Sequence, residues 1–343
     1  MLERETALYR ALAPHLGGVR LVSYGGPGDR GLCPPGLEMD LNRWGLPLSL
    51  YGWYLRRLWR APAGAIVKSN QVQGAEIALA AARRQGLPFI ARCGYLPSDF
   101  AARAHGARSQ PARRAREMER RVFSAAQRVV VTTPEMARAV AEGYHVDPER
   151  IRVIPNYVDT ELFSPRPGEE PRPGRLLFIG RVALQKNPQA LLQALVGLPV
   201  ELMMVGSGPL EEDLRRQAAA LGIKVRFLGN LPHRRLPELM AQAQIFVMPS
   251  RYEGHPKALI EAMSAGMAVI AGRSPGISGL VDHGRTGYLC GHSAPEIRRA
   301  IQEVLAQGEL RRRLGRQARR EVLARFSLER VLEQELALYG ELV

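Results

Sequence analysis

Cysteine is scarce. Cys33, Cys93 and Cys290 are the only three in 343 residues, far apart and with no CxxC spacing. This excludes a disulfide framework and a cysteine zinc site, and it fits a reducing compartment. Lysine is also rare: of 48 basic residues only Lys68, Lys186, Lys224 and Lys257 are lysines. No run approaches the roughly 18 apolar residues of a membrane span. The opening "MLERETALYRALAPHL" is charged and lacks the apolar region of a signal peptide. The expectation is a cytoplasmic protein, able at most to rest on the inner face of a membrane. No solenoid repeat or low-complexity tract occurs.

What the chain does have is a hydrophobic content of 46%, enough for two ordinary domains, and a formal charge of +15. Three readings of that charge stand side by side: an arginine-rich solvated surface, an anionic membrane or lipid-borne acceptor, and nucleic acid. The last rests on charge alone, so no nucleic-acid partner is expected; it would show as strongly salt-dependent binding. Basic residues crowd from Arg103 to Arg121, and "WYLRRLWR", Trp53 to Arg60, interleaves aromatics with arginines. Both stretches suit either a solvated helix face or an anionic membrane surface.

Short branched apolar runs alternate with helical patterns. Val19–Gly25, Ala65–Asn70, Pro88–Tyr95, Arg128–Thr133 and Ile151–Asn156 read as strands in the first half. Arg175–Arg181, Val200–Gly208, Lys224–Asn230, Ile245–Ser250 and Met267–Arg273 do so in the second. Strands separated by helices of this length imply parallel sheets of βαβ units, hence an α/β chain with two Rossmann-like, doubly wound domains. The stretch Ser164–Gly174, rich in Pro, Gly and charge, reads as their junction. Ligands of such sheets bind beyond the carboxyl ends of the strands, so the cleft between the domains is the expected site.

Three constellations carry chemistry. The strand ending at Gly180 is followed by Arg181 and then by Lys186, just before a helix starting near Pro188. Cations at a strand-to-helix turn suit a phosphate or diphosphate, and a lysine retained in so arginine-rich a chain points to a need for a compact charge. Gly206 and Gly208 end the next strand, where a ligand could approach the backbone closely. In "RYEGHPKALIEAM", Glu253 and Glu261 stand eight positions apart. On one helix that is about 12 Å, too far for a shared proton. Gly254 and Pro256 instead place Glu253 in a loop, start the helix near Pro256 or Lys257, and set Glu261 one turn inside. Two carboxylates flanking a helix N-terminus could grip a sugar nucleotide along its length, because carboxylates accept from vicinal hydroxyls and amides favour the diphosphate.

The ordered set "VIPNYVDTELFSP" (153–165), "FIGRVALQKNP" (178–188), "VGSGPLEEDL" (205–214), "VRFLGNLP" (225–232), "MPSRYEGHPKALIEAMSAGMAVIAG" (248–272) and "GLVDHGRTGYL" (279–289) resembles family 4 of the GT-B glycosyltransferases. The resemblance covers roughly Val129 to the C-terminus. It implies a GT-B fold whose two domains face an interdomain cleft, and a metal-independent, retaining enzyme that moves a sugar from a nucleoside-diphosphate sugar. It implies no cofactor; the donor substrate would be a UDP- or GDP-sugar. It further implies that Arg181 and Lys186 neutralise the leaving diphosphate, that Glu253 holds donor-sugar hydroxyls and that Glu261 binds the ribose. Gly180, Gly206, Gly208, Gly229 and Leu231 would line the donor subsite, the last two by the base. Gly254, His255, Pro256, Lys257 and Ala258 would complete it. The acceptor would be a glycan, a lipid-linked glycan or a small molecule, in cell-envelope or polysaccharide synthesis.

The expected domains are 1–155 for the acceptor, 156–325 for the nucleotide sugar, and a helix at 326–343 returning to the first domain. "VKSNQ" and "ARCGY" resemble a bacterial subset of the family and nominate Asn70, Arg92 and Tyr95 for the acceptor side; capping of the core is the other reading of these three. The family opens with a strand and a glycine loop ahead of its first helix. Here the chain starts at that helix, so the expectation is either that the start site is set too late or that the first sheet lacks its usual first strand. The rival reading is a catalytically silent scaffold that binds the nucleotide sugar, which sugar transfer or donor hydrolysis would separate from an enzyme.

Overall fold

The computed structural model describes residues 2–166 and 168–342. They fall into two compact units, Met1–Pro155 with Val331–Val343, and Asn156–Arg330. The Pro-rich stretch 164–174 lies inside the second unit, ahead of its first strand, and not at the junction.

In the first unit the helix Leu2–Leu12 precedes a parallel pair, β1 (Arg20–Val22) and β2 (Glu38–Asp40). That pair stands apart from a parallel sheet of β3 (Val67–Lys68), β4 (Phe89–Cys93), β5 (Arg128–Val131) and β6 (Ile151–Val153), in that spatial order. The sequence pattern marks Val19–Gly25 as a strand but does not reveal β2, whose three residues include two acids. Phe89, Ala91, Cys93, Val129 and Val131 pack against the helices Ala75–Gln85, Gln110–Ala125 and Pro134–Tyr144. Inside that core, burial pushes the Cys93 thiol well above its ordinary value. Cys33, Cys93 and Cys290 are all free thiols.

The helix Leu328–Gly340 ends in the first unit. Its Glu335 pairs with Lys68, and beyond it Glu341 takes Arg152 at 2.8 Å and Arg128 at 2.6 Å. The hydrogen bonds from these guanidiniums hold the Glu341 carboxyl below the usual carboxylate range. The boundary falls at 330/331 instead of 325/326. Phe326 packs edge-on to His255, 5.3 Å between ring centres, and Ser327 bridges to Val158, which keeps both residues in the second unit.

The second unit holds six parallel strands: β7 (Arg175–Ile179), β8 (Glu201–Val205), β9 (Lys224–Gly229), β10 (Ile245–Met248), β11 (Ala268–Gly272) and β12 (Tyr288–Cys290). Their spatial order is β9-β8-β7-β10-β11-β12. Alternate residues serve opposite faces. Leu177, Met203, Phe246 and Val269 face one core, while Leu176, Leu202, Ile245 and Ala268 face the other. Both faces are covered by helices, so the four inner strands, β7, β8, β10 and β11, read as apolar runs, as central parallel strands do. The chain winds outward from β7 to β9, returns to the middle at β10 and then winds the other way. That reversal opens a crevice beyond the carboxyl ends of β7 and β10, the place where doubly wound sheets bind ligands. Among the described residues no helix is long and apolar enough to cross a membrane.

Candidate functional site

The reversal point is where the singled-out charges meet. After β7 the backbone makes a single 3-10 turn, Leu184–Lys186, and Asn187 closes it in the left-handed conformation at φ 55°. Asparagine tolerates that conformation better than most residues. Pro188 then starts the helix Pro188–Leu195, its fixed φ suiting the first turn. Lys186 is thereby aimed at the loop leaving β10, and its Nζ lies 2.6 Å from Glu253 Oε1. Both side chains are largely buried, 15% and 8% exposed.

Two further bonds join the loops: Arg251 N donates to Gln185 O at 2.9 Å, and Gln185 Nε2 donates to Tyr252 O at 2.8 Å. Arg251 also reaches Asn187 Oδ1 at 3.3 Å. The helix Lys257–Ser264 follows Pro256, and Glu261 sits one turn inside it, buried at 2% exposure. Its Oε1 lies 2.9 Å from His233 Nε2. Phe163 backs the imidazole, 5.0 Å between ring centres.

Other singled-out residues surround this pair. Arg181, two residues beyond β7, is exposed and makes no ion pair with a described residue. The buried His255 ring rests against Phe326, while its carbonyl accepts from Asn156 Nδ2 at 2.6 Å, which fixes the loop Gly254–Pro256. Lys257 lies 5.5 Å from the centre of the Tyr157 ring, and Ala258 packs against the core beneath. Gly229 and Leu231 lead from β9 into the turn His233–Arg235.

Gly206 and Gly208 have a structural reason the sequence did not disclose. The loops ending β7, β8 and β9 bond backbone to backbone: Gly180 N to Val205 O at 3.0 Å, Val182 N to Ser207 O at 3.0 Å, Gly206 N to Gly229 O at 2.7 Å. A Cβ on Gly206 would lie 2.0 Å from Gly180 O, and one on Gly208 would lie 2.3 Å from Val182 O. Their missing side chains make room for the neighbouring loop. Gly206 also holds φ +118°. Gly206→Ala is therefore expected to lower stability by about 2 kcal/mol or more, from left-handed strain plus the clash. Thermal unfolding checks this, and an unchanged midpoint would contradict it.

The acceptor-side residues lie in the first unit, at the carboxyl ends of β3 and β4. Arg92 Nη1 reaches Asn70 O at 3.5 Å, Arg92 N donates to Ser69 Oγ at 3.1 Å, and the Tyr95 ring packs on Phe100 at 4.6 Å. Two contributors escaped the sequence reading. Gln185 gave no signal, and His233 stood in a run of basic residues that resembled ordinary surface.

Chemically, the crevice offers Lys186 and Arg181 to an anion, the amides opening a helix, and two buried carboxylates to accept from hydroxyls. Among the described residues no group of three or more His, Cys, Asp or Glu could hold a metal ion.

Two family models match, "Glycosyltransferase Family 4" over residues 7–162 and "Glycosyl transferases group 1" over 159–321. A D-inositol 3-phosphate glycosyltransferase of Acidothermus cellulolyticus is 30% identical across 84% of this chain and 68% of its own length. Its counterpart in Geodermatophilus obscurus is 34% identical across 70% and 58%. The chain thus spans between about half and two thirds of these relatives. Among solved structures, the sucrose-phosphate synthase of Thermosynechococcus elongatus superposes with a TM-score of 0.83, at 24% identity, over 98% of this chain and 91% of that one. An Anabaena protein solved with UDP-glucose does so at 0.81 and 19% identity, over 99% and 96%.

Proposed function

Since this chain belongs to family 4 of the GT-B glycosyltransferases, we propose that it transfers a sugar, with retention and without a metal ion, from a nucleoside-diphosphate sugar to a glycan, lipid-linked or small-molecule acceptor. Cell-envelope or polysaccharide synthesis is the setting this reading favours. The observation that carries the proposal is the Lys186–Glu253 pair at the strand reversal. An ammonium has three protons to donate, so Lys186 can keep one on Glu253 and turn the others to the diphosphate. Arg181 adds a second cation, and together they stabilise the charge that develops as the diphosphate departs.

Glu253, oriented by Lys186, accepts from hydroxyls of the donor sugar. Glu261, oriented by His233, accepts from the ribose. Gly180, Gly206 and Gly208 shape the strand ends beneath the diphosphate, Gly254 to Ala258 supply main-chain groups, and Gly229 to Leu231 flank the base. Asn70, Arg92 and Tyr95 serve the acceptor. UDP is the favoured nucleotide, because the Anabaena neighbour was solved with UDP-glucose, with GDP the other choice.

Calorimetric titration of UDP, GDP, ADP and CMP, without added metal, into the wild type and Glu261→Ala tests the donor site. One nucleotide is expected to bind, and the variant to bind it at least about tenfold more weakly, a hydrogen bond to a charged group being worth about 1.5–3 kcal/mol. If none of the four binds, the proposal fails. Binding without transfer or donor hydrolysis would favour the silent scaffold.

A further inference from the structure

Large apolar side chains are unevenly exposed. Trp44, Leu48, Leu50, Trp53 and Leu58 are each 50–65% exposed within fifteen residues of the first unit. The helix Leu48–Arg57 explains how they reach solvent. It buries Tyr51, Gly52 and Leu55, so Leu50, Trp53 and Arg57, three and four positions apart, share the opposite face. Trp44 is held beside it, edge-on to Tyr54 at 5.0 Å, with the Arg43 guanidinium 4.4 Å above its ring. Trp59 donates to Asp40 Oδ2 at 2.8 Å and Arg84 donates to the Arg56 carbonyl at 3.0 Å, so the segment is anchored in this pose.

Charge accompanies the apolar face. Arg43, Arg56, Arg57 and Arg60 are exposed, and none makes an ion pair with a described residue. No acidic residue occurs between Asp40 and Glu76. So many large apolar side chains exposed within one short segment mark an interaction surface rather than ordinary solvated helix. Tryptophan and leucine rimmed by unpaired arginines are suited to the boundary between acyl chains and anionic headgroups. The other basic stretch, on the helix Gln110–Ala125, has no such apolar companions, and its Arg121 is paired with Glu117 and Glu76.

We propose that the face formed by Trp44, Leu50, Trp53 and the flanking Arg56 and Arg57 docks this protein on an anionic lipid bilayer. The aromatic and leucine side chains enter the interfacial layer, and the arginines meet lipid phosphates. Docking does not depend on the nucleotide site, which lies in the other unit.

The test is co-sedimentation of the full chain with vesicles of phosphatidylcholine alone, and of equal parts phosphatidylcholine and phosphatidylglycerol, at low and high salt. Binding is expected to the anionic vesicles only, weakening as salt rises. Arg56→Gln/Arg57→Gln should lower it about fivefold for each arginine removed. Leu50→Ser/Trp53→Ser should lower it about tenfold or more, with an unchanged thermal midpoint because both side chains face solvent. Arg316→Gln/Arg320→Gln, on exposed positions of the helix Gly308–Arg325 in the other unit, should leave it nearly unchanged. Equal binding to neutral vesicles, no binding at all, or an equal loss in the Arg316/Arg320 variant would each overturn the proposal. So would a concentration-dependent dimer that Leu50→Ser/Trp53→Ser abolishes, since the partner would then be a second copy of the chain.

Discussion

Lys186→Ala is expected to slow sugar transfer by about 100- to 1000-fold, the usual loss when one charge-stabilising donor is removed from a reacting centre. The side chain is packed as well as charged. A Cβ placed on Gly180 would lie 3.3 Å from Lys186 Cε, so the lysine stem runs along the bare backbone of the strand end. Lys186→Arg replaces a compact point charge with a wider planar fork that cannot meet Glu253 Oε1 in the same geometry, so arginine should rescue little of the rate. Nucleotide affinity should fall less than turnover, because the ribose and base contacts proposed for Glu261 and the loop after β9 do not involve Lys186. Single-turnover rates with calorimetry on the same variant separate the two. A variant that retains transfer within about fivefold would remove Lys186 from the transition state and leave Arg181 as its main cation.

The second large effect lies in the first unit. Lys68 on β3 and Glu335 on the C-terminal helix form an ion pair whose side chains are 7% and 1% exposed. Burial outweighs the pull of Glu335 and holds Lys68 below the ordinary lysine range. The same environment pushes the Tyr9 hydroxyl up to about 12 and raises that of Tyr339, whose ring lies 5.4 Å from Lys68 Nζ. A pair desolvated this strongly adds little stability by existing, yet it is costly to break. Lys68→Ala strands the Glu335 carboxylate and should cost about 3–5 kcal/mol, whereas Lys68→Met/Glu335→Leu should come close to the wild type. Chemical denaturation of the three proteins measures the difference. A loss below about 1 kcal/mol in the single variant would mean that water reaches Glu335 after all.

Much of this was legible in the chain. The inner strands of the second unit, β7, β8, β10 and β11, are parallel and covered on both faces, so each appeared as an apolar run between helical patterns, and their residues matched closely. Glu253 in a loop and Glu261 one turn into a helix followed from Gly254 and Pro256, because those residues restrict the backbone locally. The rarity of lysine singled out Lys186. Applied evenly, the same signal would have found Lys68, since both Lys186 and Lys68 are held in buried pairs while Lys224 stays exposed. Short edge elements were less legible: β2 and β12 are three residues each, too short to establish a period.

By itself the order of residues determined the elements, their sequence along the chain and the chemical types at each strand end, since propensity, turn chemistry and apolar period act over a few neighbours. Only the tertiary structure decided the strand order, which brings residue 186 within hydrogen-bonding distance of residue 253 and residue 233 within reach of 261. It alone assigned Gly206 and Gly208 to the contact between loops, and it alone gathered Trp44, Leu50 and Trp53 on one exposed face. These outcomes depend on contacts between residues distant in sequence, and such contacts are set by how whole layers pack.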